Sequence, residues 1–411
     1  MTKAAPERSP VDVLIAGGGH VGLTLALALR HAAPTLSVTV VDAATVPPPA
    51  EDGRASAVAA AGRRMLERLG VWDQIAGDAQ PINDMIITDS RTRDVVRPVF
   101  LTFAGASEGE GPFAHMVMNG TMVGALHAAA MAAGVVVVAP GTVTDFTVGG
   151  SLVSARLAGG RTIDARLLVA ADGLRSRLRD LAGVRTATWS YGQSGIVATV
   201  AHERPHGGRA EEHFLPGGPF AILPLRGNRA SLVWTERSED AERIIADPIV
   251  FQFELERRFG HRLGRIETIG QPRAYPLGLT LARNFVRPRL ALAGDAAHGI
   301  HPIAGQGLNL GFRDVAALAE TIVEAHRLGL DIGSLAVLER YERWRRFDTF
   351  EMGMVTDGLN RLFSNDNPAV RLIRDVGLGI VDRLPVLKRI FISEAAGEGG
   401  ELPRLLRGEA I

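Results

Sequence analysis

The chain has no cysteine in 411 residues, and that one absence removes disulfides, thiolate nucleophiles, iron–sulfur clusters and cysteine-held structural zinc together. It points to a reducing compartment. Net charge is missing too: 45 Lys and Arg balance 45 Asp and Glu, so no overall field gathers a polyanion, and nucleic acid is not expected as a partner. A long uninterrupted apolar run is likewise absent. The opening MTKAAPERSP holds no apolar signal-peptide core, and the first hydrophobic stretch, 13–29, contains three consecutive glycines, which suit a strand, turn and helix better than a membrane span. The expectation is a cytoplasmic protein, in which the sequon Asn119-Gly120-Thr121 stays idle. What remains is ample apolar material. With 46% hydrophobic and 22% charged residues the composition is that of a folded chain, long enough for two or three domains at about 150 residues each.

The first forty residues read as strand, glycine turn, helix, strand: VDVLIAG, GGHVG, LTLALALRHAA, LSVTVVDA. After a Pro-rich loop at 44–53, the spacing predicts an amphipathic helix over 56–70, striped by Val58, Met65, Leu66 and Leu69. Residues 82–103 alternate as strands do, and a second helix is expected over 121–133, followed by the strand VVVVA. Residues 142–170 read as a hairpin turning at glycine pairs and returning to a buried strand at 167–170. From 187 to 236 the runs GIVATVAHE, FAILPL and RASLVWTE, joined by Pro/Gly turns, predict an antiparallel sheet inserted into the α/β unit. That unit resumes with RLALAGD at 289–295, and helices follow from Gln306 onward.

Three loops carry the chemistry. Gly17, Gly19 and Gly22 form G-x-G-x-x-G between strand and helix, with His20 inside the motif and Asp42 at the end of the next strand. The glycines permit a tight turn and close approach of backbone to a pyrophosphate, the helix N-terminus offers amides, and Asp42 is placed for a ribose hydroxyl. Asp172-Gly173 and Gly294-Asp295 end two further strands. A nicotinamide dehydrogenase needs only the first loop, so two more glycine-acid loops argue for a longer cofactor held along its length, FAD. Gly305, Gln306 and Gly307 open a helix whose amides and positive dipole end suit a reduced, anionic isoalloxazine.

Other residues read two ways. Arg54 suits pyrophosphate or flavin, or is a surface arginine; Arg175, Arg177 and Arg179 include a contact for the cofactor or form a solvated helix face. His298 and His301 have H-x-x-H spacing without a third ligand, so no metal is expected. His202, His206 and His213 read as satisfied sheet residues rather than bases.

With these three fingerprints the chain resembles the flavin-dependent aromatic hydroxylases of the single-component monooxygenase group. More narrowly, Tyr191-Gly192-Gln193, HERPH (202–206), FLPGGPFAILPL (214–225), SLVWTE (231–236) and HPIAGQGLNLGFRD (301–314) resemble the ubiquinone-biosynthesis hydroxylase family, over nearly the whole chain. The resemblance implies an α/β fold: a Rossmann-like FAD-binding domain (1–80, 110–185 and 286–365), an inserted antiparallel β-sheet substrate domain (81–109 and 186–285), and a C-terminal helical segment (366–411). It carries flavin binding onto Gly17, Gly19, Gly22, Asp42, Arg54, Asp172, Asp295, Pro302, Gly305, Gly307 and Asn309. His20, Gly173, Gly294, Gln306 and Leu308 in the same loops, and Asn119, are also expected to bind the cofactor. His20 departs from the family's usual small residue, and Asp42 is shorter than its usual Glu.

The resemblance further implies that Pro302 and Gly305 stand in front of the flavin, where reduced flavin and O2 form a C4a-hydroperoxide that oxidises the substrate ring. A second G-x-G-x-x-G is missing, so NAD(P)H docks transiently, with Arg175 as a contact, or a redox partner delivers electrons. The implied substrate is a polyprenylated phenol on the way to ubiquinone, walled by Tyr191, Phe214, Leu223 and Trp234. Two rivals stay open: a hydroxylase of a small aromatic acid, and a non-catalytic FAD-fold protein that binds prenyl groups. The stretch 367–393 mixes Val370, Leu372, Ile373, Leu387, Ile390 and Phe391 with Arg371, Arg374, Lys388 and Arg389. It reads as a basic amphipathic surface for the inner membrane and other quinone-biosynthesis proteins, or as helices packed on the cofactor domain. Oligomeric state is left undecided.

Overall fold

A computed structural model describes residues 9–45, 53–89, 99–104, 111–302, 305–363, 397 and 399–411. The basic amphipathic stretch 367–393 lies outside the described residues, as does most of the Pro-rich loop.

The first sheet runs in the order β17 (Val286–Arg287), β18 (Leu290–Leu292), β11 (Thr162–Ala170), β1 (Val11–Ala16), β2 (Val38–Val41), β8 (Val136–Val138). Off this path, β10 (Val153–Leu157) folds back on β11 and β9 (Val143–Val148) on β10, both antiparallel. Five strands, β18 to β8, are mutually parallel. Parallel strands need cover on both faces, which is why VLIA, VTVV and LLVA are continuous apolar runs rather than alternating ones. Part of that cover is α1 (His20–Ala32), packed against α4 (Asn119–Ala132) and α8 (Gln306–Arg327). Every residue of α1 from Gly22 to Leu29 is buried, as a helix apolar on all sides requires.

Register sets the site. Ala16 lies level with Ala170, and Ala170 with Leu292, so the C-terminal ends of β1, β11 and β18 stand side by side. The loops beginning at Gly17, Ala171 and Ala293 therefore leave the sheet at one level, into the crevice where ligands of open α/β sheets bind.

The second sheet is built on the opposite plan: β19 (His298–Gly299), β16 (Ile266–Ala282), β12 (Thr186–His202), β15 (Arg229–Arg237), β14 (Gly218–Leu225), β13 (Arg209–Leu215), β5 (Asp84–Asp89), β6 (Val99–Ala104). All neighbours are antiparallel except β13 and β5. One face carries a separate core in which Trp234, Phe220 and Ile196 pack with Phe251 and Leu255, under α6 (Ser238–Ala246) and α7 (Pro248–Phe259). Asp247 starts α7 by accepting from the amides of Ile249 and Val250, ahead of a proline that fits the first helical turn.

A third, small sheet of β3 (Ala55–Ala59), β7 (Ala114–Met118) and β4 (Gln80–Ile82) corrects the helix expected over 56–70. Its first residues are a strand, and the helix α2 (Ala60–Arg68) begins only at Ala60. The alanines favour helix, but β3 is held from elsewhere: it pairs with β7, and Asn309 accepts from the Ala59 amide while donating to the Ala57 carbonyl. The remaining helices are α3 (Trp72–Ile75), α5 (Arg177–Leu181) and α9 (Leu335–Phe363). Among the described residues no helix is long and apolar enough to cross a membrane.

Candidate active site

At the first loop, two glycines are required by packing and one is not. Gly17 has φ +116°, and a Cβ there would sit 2.1 Å from the Ala171 carbonyl oxygen; a Cβ on Gly22 would sit 1.9 Å from the Gly17 carbonyl oxygen. Gly19 has an ordinary φ of −80° as N-cap of α1, and no described residue reaches within 4 Å of its Cβ position. The free space before that helix end is backed by amides and the positive dipole end. His20 begins α1 behind it. Asp42 closes the turn from the next strand, accepting from the amides of Gly18 and Ala44.

At the second loop, one Asp172 oxygen accepts from the Leu178 amide at 3.3 Å, while Oδ1 is buried with no hydrogen-bond partner among the described residues. Gly173 takes φ +83° beside it. The arginine triplet divides: Arg175 and Arg177 are exposed, whereas Arg179 is buried and donates to the carbonyls of Leu174 (3.1 Å) and Ala296 (3.2 Å). It bolts the second loop to the third.

The third loop rests on a fully buried charge cluster. Asp314 of α8 accepts from the Gly294 amide (2.9 Å), from His298 Nε2 (2.6 Å) and from Arg345 Nε (2.9 Å). Burial alone would raise this carboxyl, but His298 and Arg345 hold it below the usual range. Asp295 opens toward the cavity; enclosure by protein raises its carboxyl, opposed by His298 and reinforced by the charge of Asp314. His298 and His301 thus part company. His301 lines the cavity instead, where burial keeps its imidazole neutral, with a pKa lowered to about 4.

A cavity of about 460 Å³ separates the two sheets. One wall is Arg54, Asp295, Pro302, Gly305, Gly307, Leu308 and Asn309; the other is a face of the antiparallel sheet, including Met85, Ala210, Glu212, Ala221, Leu223, Val233, Thr235 and Leu277. Gly305 is the left-handed N-cap of α8 (φ +63°), and in the first turn of the helix the amides of Gly307 and Leu308 have no intrahelical acceptor. Gly307, like Gly19, has open space where a Cβ would be. The Asn309 amide is committed to β3 and Gly305, so Asn309 ties the α8 start to Ala57. Asn119 steadies the Arg54 strand, its backbone N–H donating to the Arg54 carbonyl and its side-chain oxygen accepting from Ser56 Oγ.

Of the residues expected to wall the substrate, Leu223 lines the cavity. Trp234 does not: strand alternation gives the cavity face to Val233 and Thr235, and Trp234 points into the second core beneath Arg258. Phe214 is buried outside the lining, and Tyr191 sits one layer behind, edge-on to His301 at 5.4 Å. Its phenol is pushed above the ordinary range by burial and by Asp357. His206 bonds the Leu225 carbonyl and His213 bonds Thr88, as sheet residues do. Sequence reasoning missed Glu212, Thr235 and the Asp314–Arg345 pair; the alternation that places Leu223 on the cavity face was the available signal for the first two.

Three adjacent strand ends, a helix N-terminus facing a cavity and an antiparallel sheet as its far wall define an FAD-binding oxidoreductase. Residues 10–347 match the family described as FAD binding domain, and the chain belongs to it. It is 49% identical over 411 residues to the ubiquinone hydroxylase UbiL of Rhodospirillum rubrum, covering 97% of this chain and 92% of that one. To the 3-demethoxyubiquinol 3-hydroxylase of Escherichia coli it is 36% identical over 395 residues, covering 94% and 99%. The fold is that of p-nitrophenol 4-monooxygenase PnpA from Pseudomonas putida, with a TM-score of 0.81 over 96% and 99% of the chains at 20% identity. The open fronts of Gly19 and Gly307 and the unpartnered Asp172 Oδ1 fit an extended group laid across all three loops, as FAD would be.

Proposed function

We propose that this protein is an FAD-dependent monooxygenase that hydroxylates the aromatic ring of a polyprenylated phenol in ubiquinone biosynthesis. The observation that carries this reading is the cavity itself, which joins the α8 N-terminus to a largely apolar sheet face. The 49% identity to a ubiquinone hydroxylase supports the substrate class.

In this reading the pyrophosphate of FAD lies before Gly17, Gly19 and the α1 N-terminus, with Asp42 exchanging its turn contact for a ribose hydroxyl. Arg54, Asp172 and Asp295 hold the middle of the cofactor, and Pro302 and the residues from Gly305 to Asn309 face its ring. Bound FAD supplies the activation of O2, with electrons from NAD(P)H or a redox partner. The chain's own part is electrostatic and steric: the amides of Gly307 and Leu308 favour negative charge on the group before them, and the apolar floor excludes water. The prenyl tail lies along that floor, and the enzyme meets its lipid substrate at the membrane surface.

A small aromatic acid is the second reading, favoured by Arg54 as a cation on the cavity wall. Mass spectrometry of the quinone extract from cells lacking the gene separates the two. Accumulation of a prenylated ring one hydroxyl short is expected; an unchanged quinone pool, with turnover of benzoate-type phenols by the purified protein, overturns the reading.

A further inference from the structure

The sheet wall of the cavity has one charged side chain among its described residues, and nothing in the flavin site accounts for it. Glu212 of β13 is 4% exposed and lines the cavity, and its carboxyl has no hydrogen bond or ion pair among the described residues. Its neighbours across the sheet are Ala221 and Ile87, and the row continues through Val233 to Val197. Ala210, two residues back on the same face, and Ala221 are short, leaving room in front of the carboxyl. Glu211, facing the other side, pairs with His213 and Arg262. The titratable groups on Glu212's own side are Arg54, Tyr275, Asp295 and His301 around the cavity and Asp89 on β5. None of them moves its proton affinity; burial alone pushes the carboxyl up to about 7. Thr235, whose hydroxyl is also buried without a partner among the described residues, lies two strands away.

An unpaired buried carboxyl costs stability, and apolar replacements of similar volume are available to any sequence. Such a group persists where a ligand completes it. Given the phenol-hydroxylase reading, on which this rests, the ligand carries one hydrogen-bond donor on an otherwise apolar ring. We propose that Glu212 receives the ring hydroxyl of the phenolic substrate, accepting its hydrogen bond and so fixing which edge of the ring faces the α8 N-terminus.

The test uses the FAD-loaded protein at pH 8.5, where Glu212 is ionised, titrated with ortho-geranylphenol and with its methyl ether while the flavin absorbance is followed. A carboxylate built to accept from a hydroxyl rejects the ether, so wild type is expected to prefer the phenol by about tenfold or more. Both E212L and E212A remove the acceptor, and in whichever of them loads FAD the preference should fall toward one. E212Q keeps an acceptor but adds an amide N–H that can donate to the ether oxygen, so its preference should fall between those of wild type and E212L. A phenol preference that persists undiminished in E212L or E212A overturns the assignment while leaving the substrate class standing. Wild type that binds neither geranyl compound overturns the substrate class and this assignment with it.

Discussion

On the loop wall the groups that face inward are mostly backbone: the α8 amides at the cavity itself and, outside its lining, the Gly19 helix end and the Asp172-Gly173 turn of the adjoining crevice. On the sheet wall the backbone is consumed in ladder hydrogen bonds, and only alternate side chains look in. A backbone site is sensitive to any atom that shifts the chain and indifferent to most side chains. A side-chain site behaves the other way, so substitutions on the sheet wall should change what is bound while sparing the fold.

The severest break of the loop wall is Gly22→Ala. Its Cβ would meet the Gly17 carbonyl at 1.9 Å, backbone against backbone, with no flexible side chain to give way. The cost is expected to exceed the ~5 kcal/mol that few single substitutions reach. Purification should yield little soluble protein and no flavin colour.

Next comes the support beneath the loop wall. Asp314→Asn leaves the buried Arg345 with only the partly exposed Asp348 as countercharge and should cost about 3 kcal/mol, the low end for a broken buried pair. Asp314 binds its proton less readily when folded than when unfolded, so its contribution is present at neutral pH and lost as pH falls through the depressed native value. Urea unfolding of wild type and variant should therefore converge in acid; a constant gap across pH would break the argument.

The sheet wall should show the opposite sign. Glu212 binds its proton more readily when folded, about 7 against 4.5, so wild-type stability falls as pH rises between those values. The total is about 3 kcal/mol. Leu at this position escapes that loss, so E212L is expected to match wild type near pH 4 and to exceed it by up to about 3 kcal/mol at pH 8. Equal stabilities at pH 8 would mean that water or a partner already satisfies the carboxyl.

The two walls were unequally legible for the same reason. Gly17, Gly19, Gly22, Asp172 and Asp295 could be found because a backbone site is specified by residues close in sequence at strand ends, and buried parallel strands announce themselves as apolar runs. Glu212 and Trp234 could not be assigned because a one-residue change of phase exchanges the two faces of a strand. Residues 55–59 defeated local reasoning outright, since the Asn309 side chain that holds them as a strand is 250 residues away. Arg179 did so more subtly: beside Arg175 and Arg177 it has the look of a solvated face, and only the neighbouring third loop gives it the Ala296 carbonyl.

The mildest substitution sharpens the comparison most, because it separates a glycine needed by the fold from one needed by the ligand. Gly19→Ala has an ordinary backbone conformation and open space for its Cβ, so the fold loses only the modest N-cap preference of glycine over alanine, about 1 kcal/mol or less. The methyl group nevertheless occupies the approach to the α1 amides. FAD affinity is expected to fall at least tenfold while the apoprotein keeps its melting temperature to within a few degrees. Fluorescence titration of the apoprotein with FAD, beside a melting curve without it, reads the two effects apart. Undiminished affinity would place the pyrophosphate elsewhere than before Gly19, and a collapsed melting temperature would mean that Gly19, like Gly22, is there for the packing of the chain.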